Sequence, residues 1–66
     1  PPPPTGNRAR TTRNSPIIKK NNGKKVGLYL AGTDLTVGGQ SGEWTYVPGQ
    51  HGKPDGFVKT ANLARV

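Results

Sequence analysis

The 66-residue sequence has no cysteine, no methionine and a single histidine. The absence of cysteine excludes disulfide bonds and thiolate metal sites. The lone histidine, His51, does not make a zinc site without help from distant carboxylates. Because a chain this short buries only a modest core, we expect its stability to come from a compact sheet joined by short turns, with no cofactor and no metal.

Groups that catalyse reactions are also scarce. The three carboxylates, Asp34, Glu43 and Asp55, all fall in or beside predicted turns. His51 lies in a glycine-rich loop, which we expect to be too mobile for a rigid catalytic base. A nucleophile, a base and a group that orients the base would have to come from this small set. The sequence therefore predicts a protein that is not an enzyme.

The beginning of the sequence is rich in proline. It starts with Pro1 instead of methionine, which indicates a fragment of a longer polypeptide or a processed product, and no signal peptide or membrane-spanning run is visible. Four consecutive prolines favour an extended polyproline II conformation. We predict a disordered or extended proline-rich leader, a linker over residues 1–8, and one domain over residues 9–66. The alternative is that the prolines are themselves a ligand for a partner.

Positive charge is concentrated in the first part of the chain. The net charge is +7, and residues 26–66 are neutral. The cationic residues of the first part are Arg8, Arg10, Arg13, Lys19, Lys20, Lys24 and Lys25. Such a cluster attracts polyanions such as nucleic acid, teichoic acid or anionic lipid, so we predict that these residues bind polyanions. The alternative is a solvated linker that only keeps the protein soluble.

From Lys25 onward the apolar pattern has a period of two residues, which is typical of strands. Glycine-rich turns separate the strands, and only one turn of 3₁₀ helix is predicted, at residues 60–63. We predict an all-β domain, a small barrel of about five short strands. Its expected core consists of Ile18, Val26, Leu28, Leu30, Leu35, Val37, Val47, Phe57, Val58, Ala61 and Leu63.

The densest run of strand-forming residues is Glu-Trp-Thr-Tyr-Val at positions 43–47. Alternation places Trp44 and Tyr46 on one face of this strand and Thr45 and Val47 on the other. Since Val47 is expected to face the core, Trp44 and Tyr46 should face outward. An exposed Trp–Tyr pair is a natural platform for a sugar ring, a peptide or a nucleobase; the alternative is that one of them caps the barrel. The predicted ligand-binding residues are Trp44, Tyr46, Tyr29, Glu43 and Asn62.

Several motifs, taken in order, resemble the bacterial SH3 (SH3b-like) domain family. They are the turn and strand over residues 32–37, the Gly-x-Trp strand over residues 42–47, Gly52-Lys53, and Gly56-Phe57-Val58 followed by Leu63. Residues 12–16 are similar to the family's opening strand, although Thr12 replaces an apolar residue and Ser15 a glycine. The eukaryotic SH3 domain, which binds polyproline, fits less well, because its groove-forming Pro and Tyr positions are Lys59 and Asn62 here.

The resemblance implies a small SH3-like barrel that acts as a non-catalytic cell-wall-targeting module of a larger protein, such as a wall hydrolase or a phage endolysin. It implies a location outside the cell or in the bacterial cell envelope. A shallow groove between residues 18–25 and 38–43 would take glycan or stem-peptide segments, so that the partner is peptidoglycan or an acidic wall polymer. Two alternatives stay open: a nucleic-acid-binding barrel with a basic arm, and a structural module in a virion or envelope assembly that docks a protein by strand addition.

Overall fold

The computed structural model describes residues 7–19 and 23–65. Residues 1–6, which hold the prolines of the predicted leader, and the predicted polyanion-binding Lys20 lie outside these described residues. The described part contains one turn of 3₁₀ helix, Thr60–Asn62, and no helix long and apolar enough to cross a membrane. Its strands are β1 (Asn7–Thr11), β2 (Ser15–Ile18), β3 (Lys25–Tyr29), β4 (Asp34–Val37), β5 (Gln40–Ser41), β6 (Trp44–Val47), β7 (Gly56–Lys59) and β8 (Leu63–Arg65).

The strands form two antiparallel sheets. The first has three strands in the order β4-β1-β8, and the second has five in the order β3-β2-β7-β6-β5. Gly38 and Gly39 continue the chain beyond β4 and hydrogen bond to the main chain of Tyr46 in β6, at 2.7 and 2.9 Å, which joins the two sheets. The prediction of an all-β domain is confirmed, with eight strands instead of about five. The described residues do not close into a barrel.

Strand β1 is the central strand of the first sheet, although the sequence assigned its first two residues to a linker. Arg8 pairs with Thr36 of β4, and Arg10 pairs with Ala64 of β8. Ala9 is buried, as is Thr11, while the two arginines are exposed. An arginine-rich run can therefore be a strand here because small side chains alternate with the arginines and fill the inner face.

The core lies between the two sheets. Its buried apolar residues are Ala9, Ile17, Tyr29, Leu35, Val37, Val47 and Val58, with Val26 and Leu63 packed against them. Besides Val26 and Leu63, five predicted core residues are not buried: Ile18, Leu28 and Phe57 are half-buried, and Leu30 and Ala61 are exposed. The predicted core is thus correct for β4, β6 and Val58, and it differs most at β2 and β3.

The second half of strand β3 turns the face opposite to the predicted one toward the core, whereas Val26 packs against the core as predicted. Tyr29 is 1% exposed, whereas Leu30, predicted to be buried, is 63% exposed. Gly27 shares the inner face with Tyr29, and a Cβ atom there would lie 2.9 Å from Ile17 Cδ1, so the absence of a side chain makes room for Ile17. A shift of one residue exchanges the two faces of a strand, and the β2–β3 pairing contains a register shift directly after Ile17.

The loop over residues 48–55 is held by hydrogen bonds, which corrects the mobile environment predicted for His51. The Gln50 carboxamide accepts a hydrogen bond from the main-chain N–H of Thr36 and donates one to its carbonyl oxygen, both at 2.8 Å. His51 Nε2 lies 2.7 Å from the carbonyl oxygen of Asp34. Because a carbonyl oxygen only accepts, Nε2 carries the proton. Both side chains thereby cover the outer edge of β4.

The cationic residues expected in a basic leader belong to the folded domain. They lie on β1, in the turn after it and in the hairpin formed by β2 and β3: Arg8, Arg10, Arg13, Lys19, Lys24 and Lys25. The described residues hold nine lysines and arginines against three carboxylates, a net charge of +6. The folded domain is therefore itself strongly basic, because these cations lie on its strands and hairpins.

Candidate functional site

Strand β6 presents two aromatic side chains on the outer face of the five-stranded sheet. Thr45 and Val47 are buried, whereas Trp44 and Tyr46 are half-buried, which confirms the predicted alternation. The outward position of Trp44 follows from the inward position of Val47, three residues further along the strand.

A groove with a volume of about 510 Å³ opens beside Trp44. Its lining residues are Ile18, Lys19, Gly23, Ser41, Trp44 and Phe57. These residues come from the β2–β3 hairpin on one side, from β5 and β6 on the other, and from β7 between them, so the groove lies between the two loops that the sequence indicated. Ligand pockets have volumes of about 300–1,000 Å³, which places this groove in the range for a sugar or a short peptide segment.

Phe57 occupies the middle of this outer face. It pairs with Tyr46 of β6 on one side and with Ile18 of β2 on the other. The rings of Phe57 and Tyr46 make an edge-to-face contact with their centroids 5.7 Å apart, an arrangement that aromatic pairs favour. These three cross-strand neighbours form one continuous apolar row, and Trp44 adds a third ring beside it.

The β2–β3 hairpin forms the other side of the groove. The N–H of Lys19 donates to the carbonyl oxygen of Lys24 at 2.8 Å, and the N–H of Gly23 donates to the carbonyl oxygen of Lys19 at 2.9 Å. Gly23 has a φ of 66°, a left-handed conformation that glycine adopts without steric cost. The turn therefore places the main chain of Lys19 and Gly23 against the groove.

Lys59 lies over the indole ring of Trp44. The two residues are directly opposite in the β6–β7 pairing, and Lys59 Nζ lies 5.5 Å from the ring centroid. A cation at this distance is attracted to the face of the ring by about 0.5–1 kcal/mol at an exposed site. One cation is thus kept at the Trp44 side of the groove, while Lys19 lines the groove near the hairpin.

Tyr46 supports Phe57 without lining the groove. Its hydroxyl donates a hydrogen bond to the Asp55 carboxylate at 3.0 Å. This hydrogen bond, followed by burial and by the negative charge of Asp55, raises the pKa of Tyr46 above its ordinary value. A Cβ atom at Gly38 would lie 2.9 Å from Tyr46 Cδ2, so the glycine leaves space for the ring.

The structure buries Tyr29, which the sequence assigned to the ligand-binding residues. Its ring is buried in the core, where it makes an edge contact with the His51 ring at a centroid distance of 6.1 Å. Its hydroxyl donates to the carbonyl oxygen of Gln50 at 3.3 Å. Burial raises the pKa of Tyr29. The ring offers no face on which a ligand could stack.

The two polar residues predicted to bind ligand occupy different places. Glu43 is exposed in the turn before Trp44, and its carbonyl oxygen accepts a hydrogen bond from the Thr60 N–H at 2.7 Å. Asn62 ends the 3₁₀ turn, and its carbonyl oxygen accepts a hydrogen bond from the Thr12 N–H at 2.8 Å. Glu43 therefore borders the site, while Asn62 is tied to the turn between β1 and β2.

The predicted polyanion-binding residues do not form one surface. Arg8 and Arg10 are exposed on the outer face of the three-stranded sheet, and Arg10 Nε lies 2.6 Å from Asp34 Oδ1. The hydrogen bond from Arg10 is the largest cause of the lowered pKa of Asp34, helped by the charges of Arg10, Arg8 and His51. Lys19 is at the groove on the other sheet. The cations thus form separate groups on the two sheets.

The histidine and the carboxylates of the described part of the chain do not form a metal-binding cluster. No three histidine or carboxylate groups among residues 7–19 and 23–65 lie close enough to hold a metal ion. The carboxylates are dispersed, with Asp34 bound to Arg10 and Asp55 bound to Tyr46.

Sequence reasoning missed three residues of the groove region. It placed Ile18 and Phe57 in the core and gave Lys59 no role. The β6–β7 register is the signal that finds Lys59, because it sets this residue opposite Trp44. Alternation within β7 gives the same answer for Phe57: Val58 faces inward, so both of its neighbours face outward.

The fold and the groove define a small, basic, all-β domain with an aromatic groove bordered by lysines. Comparisons with protein-family models, with curated proteins and with solved structures gave no match. The function of this chain is therefore inferred from the geometry of the groove.

Proposed function

We propose that this domain is a non-catalytic binding module that attaches a larger protein to the bacterial cell wall by binding peptidoglycan. The observation that supports the proposal is the groove, which combines the rings of Trp44 and Phe57 with Lys19 in its lining and with Lys59 over the Trp44 ring. Sugar rings and peptide groups pack well on such aromatic surfaces. The resemblance to bacterial SH3 domains implies the same partner, together with a location outside the cell or in the envelope and a parent protein such as a wall hydrolase or a phage endolysin.

The composition of the outer face also favours a ligand. Trp44, Phe57 and Ile18 are only half-buried, in a chain of which 29% is hydrophobic. Apolar side chains grouped on a surface are typical of binding sites. Polar residues could occupy these exposed positions without loss of stability, so a ligand explains why apolar residues are found there. The groove therefore accounts for apolar residues that the core does not use.

Sedimentation with purified peptidoglycan sacculi tests the proposal. The domain should co-sediment with sacculi stripped of teichoic acid, well above an unrelated small domain of equal net charge. If the sacculi retain no more of this domain than of the charge-matched control, the proposed function is wrong.

Substitution of Trp44 tests the site itself. Trp44→Ala should weaken binding to sacculi by about 1–3 kcal/mol, the loss typical of a stacking platform. The free energy of unfolding should fall by less than the roughly 3–5 kcal/mol expected for a core aromatic. Leu30→Ala is the matched control, since Leu30 is exposed and does not line the groove. If Trp44→Ala unfolds the domain while binding per folded molecule is unchanged, Trp44 is a structural residue.

A second function, nucleic-acid binding, is favoured by the net charge of +6 that the described residues themselves carry. Trp44 and Phe57 would stack on bases, and such binding ignores sequence and weakens steeply as salt rises. Titration of a fluorescent single-stranded oligonucleotide at several salt concentrations measures it. Nanomolar affinity at physiological salt would rank this function above wall binding.

A further inference from the structure

The charges around the groove carry information about the ligand that the aromatic rings do not. We propose that the groove binds the peptide part of peptidoglycan through its carboxylate groups, and that Lys19 and Lys59 recognise these carboxylates. This inference rests on the proposed function, because it names the segment of the wall polymer that occupies the same site.

No carboxylate of the described residues lines the groove. Asp34 lies on the other sheet in an ion pair with Arg10, and Asp55 accepts the hydrogen bond of Tyr46. Glu43 is exposed in the turn outside the groove. The charged residue that lines the groove is Lys19, and Lys59 lies over the ring of Trp44, which favours an anionic ligand over a neutral one.

Both lysines are available to such a ligand. The single ion pair within residues 7–19 and 23–65 joins Arg10 to Asp34, so neither Lys19 nor Lys59 is neutralised by a carboxylate there. The main chain of Lys19 is fixed by its two hydrogen bonds in the hairpin. Lys59 is held above the Trp44 ring. Holding the cations in place before binding reduces the entropy that a ligand must overcome.

The surface between the two lysines is apolar, formed by Ile18, Phe57 and Trp44. A neutral glycan would leave both lysines without partners, and a polymer of phosphates would leave this apolar surface unused. Wall stem peptides carry alanine methyl groups next to free carboxylates, which matches an apolar surface with Lys19 beside it and Lys59 over the Trp44 ring. The stem peptide is therefore the segment that fits both features.

The experiment uses the fluorescence of Trp44, the only tryptophan of the chain, with calorimetry as a second measurement of affinity. The two probes are a soluble muramyl tripeptide with free carboxylates and the same compound with its carboxylates converted to amides. The acid form should bind roughly tenfold more tightly than the amide, as expected for one charged hydrogen bond. This preference should shrink as salt is added. Lys59→Gln and Lys19→Gln should each reduce this preference, because each removes one of the cations that distinguish the acid form from the amide.

Arg65→Gln is the matched control, because it changes the net charge equally at an exposed residue of β8 outside the groove. Its affinity for the acid form should stay within about twofold of wild type, since exposed charges at a distance contribute little. Equal affinity for both probes, or an equal loss in Arg65→Gln, overturns the inference. Tighter binding of poly(glycerol phosphate) or oligodeoxythymidine, lost in Lys59→Gln, assigns the site to phosphate instead. If the domain binds sacculi but shows no preference for the acid form of the tripeptide, the inference is wrong and the proposed function stands. If the domain does not bind sacculi, the proposed function is wrong.

Discussion

At the scale of single residues, the side chain of Gln50 takes the place of a neighbouring strand. Its carboxamide bonds to both main-chain groups of Thr36 and also donates to the carbonyl oxygen of Pro48 at 2.9 Å. The His51 ring bonds to the carbonyl oxygen of Asp34, two residues before Thr36 on the same edge. Exposed strand edges favour aggregation, so these two side chains stabilise the loop and protect β4 together.

We expect Gln50→Ala to lower the free energy of unfolding by about 1–3 kcal/mol, because it removes three side-chain hydrogen bonds and uncovers the β4 edge. Chemical denaturation followed by Trp44 fluorescence measures this loss. Gln40→Ala is the control, since Gln40 is exposed, and it should change stability by no more than about 0.5 kcal/mol. Equal effects of the two substitutions would contradict the role assigned to Gln50.

The two tyrosines of the chain should titrate above their ordinary pKa of 10.0, Tyr29 because it is buried and Tyr46 chiefly because it donates to Asp55. Because folding raises the pKa of both tyrosines, their contribution to the free energy of unfolding is complete below about pH 10. It is lost as the pH rises through the folded-state pKa. Ultraviolet absorbance of the phenolate, measured with stability at each pH, checks this. In the Tyr46→Phe variant, the remaining phenolate titration belongs to Tyr29. If that titration has the pKa of free tyrosine, the buried position of Tyr29 is contradicted.

At the scale of elements, the contact between β2 and β7 depends on a missing side chain. A Cβ atom at Gly56 would lie 2.5 Å from Ile17 Cγ2 and 2.8 Å from the carbonyl oxygen of Ile18. The second of these atoms belongs to the main chain and cannot turn aside. Close approach here brings Ile18 beside Phe57 and so forms the apolar row of the groove.

Gly56→Ala should therefore destabilise the domain by about 1–3 kcal/mol or more, the cost of overpacking. Gly39→Ala is the matched substitution, because a Cβ atom at Gly39 meets nothing within 4 Å and its φ is not positive; it should be neutral or slightly stabilising. Thermal and chemical denaturation of both variants compare them. A Gly56→Ala variant as stable as wild type would show that β2 and β7 are less closely packed than described.

At the scale of the whole molecule, the two sheets carry different surfaces. The outer face of the three-stranded sheet holds the charged side chains of Arg8, Arg10 and Asp34, while the outer face of the five-stranded sheet holds the half-buried rings. Because the charge belongs to strands and hairpins, we expect any attraction to polyanions to come from the folded domain. The proposed binding in the groove should then be separable from binding of a long anionic polymer.

Removal of residues 1–6, which carry no charge, should leave the melting temperature and the salt dependence of polyanion binding unchanged, since all of β1 and all the cations are retained. Removal of residues 1–11 should abolish cooperative unfolding, because β1 is the central strand of its sheet. Circular dichroism and a salt titration of heparin binding measure both effects. A lower salt slope after removal of residues 1–6 would contradict a charge carried by the fold alone.

The sequence by itself determined those features that depend on neighbouring residues. The period of two from Lys25 onward and the glycine-rich turns predicted an all-β domain. The alternation of residues 44–47 predicted which side chains of β6 face outward, and Val47 indicated the direction. These features follow from backbone geometry, in which successive side chains point to opposite faces whatever the strand packs against.

Only the tertiary structure decided which residues meet across strands. Alternation in β3 was clear, but the choice of Tyr29 over Leu30 as the inner residue depended on Ile17 filling the space above Gly27. The placement of Lys59 over Trp44 likewise required the β6–β7 register. The local sequence pattern shows that a strand has two different faces. Which face is buried depends on the partner strand, with its glycines and its register. The sequence pattern does not reveal this because those contacts join residues far apart in the chain.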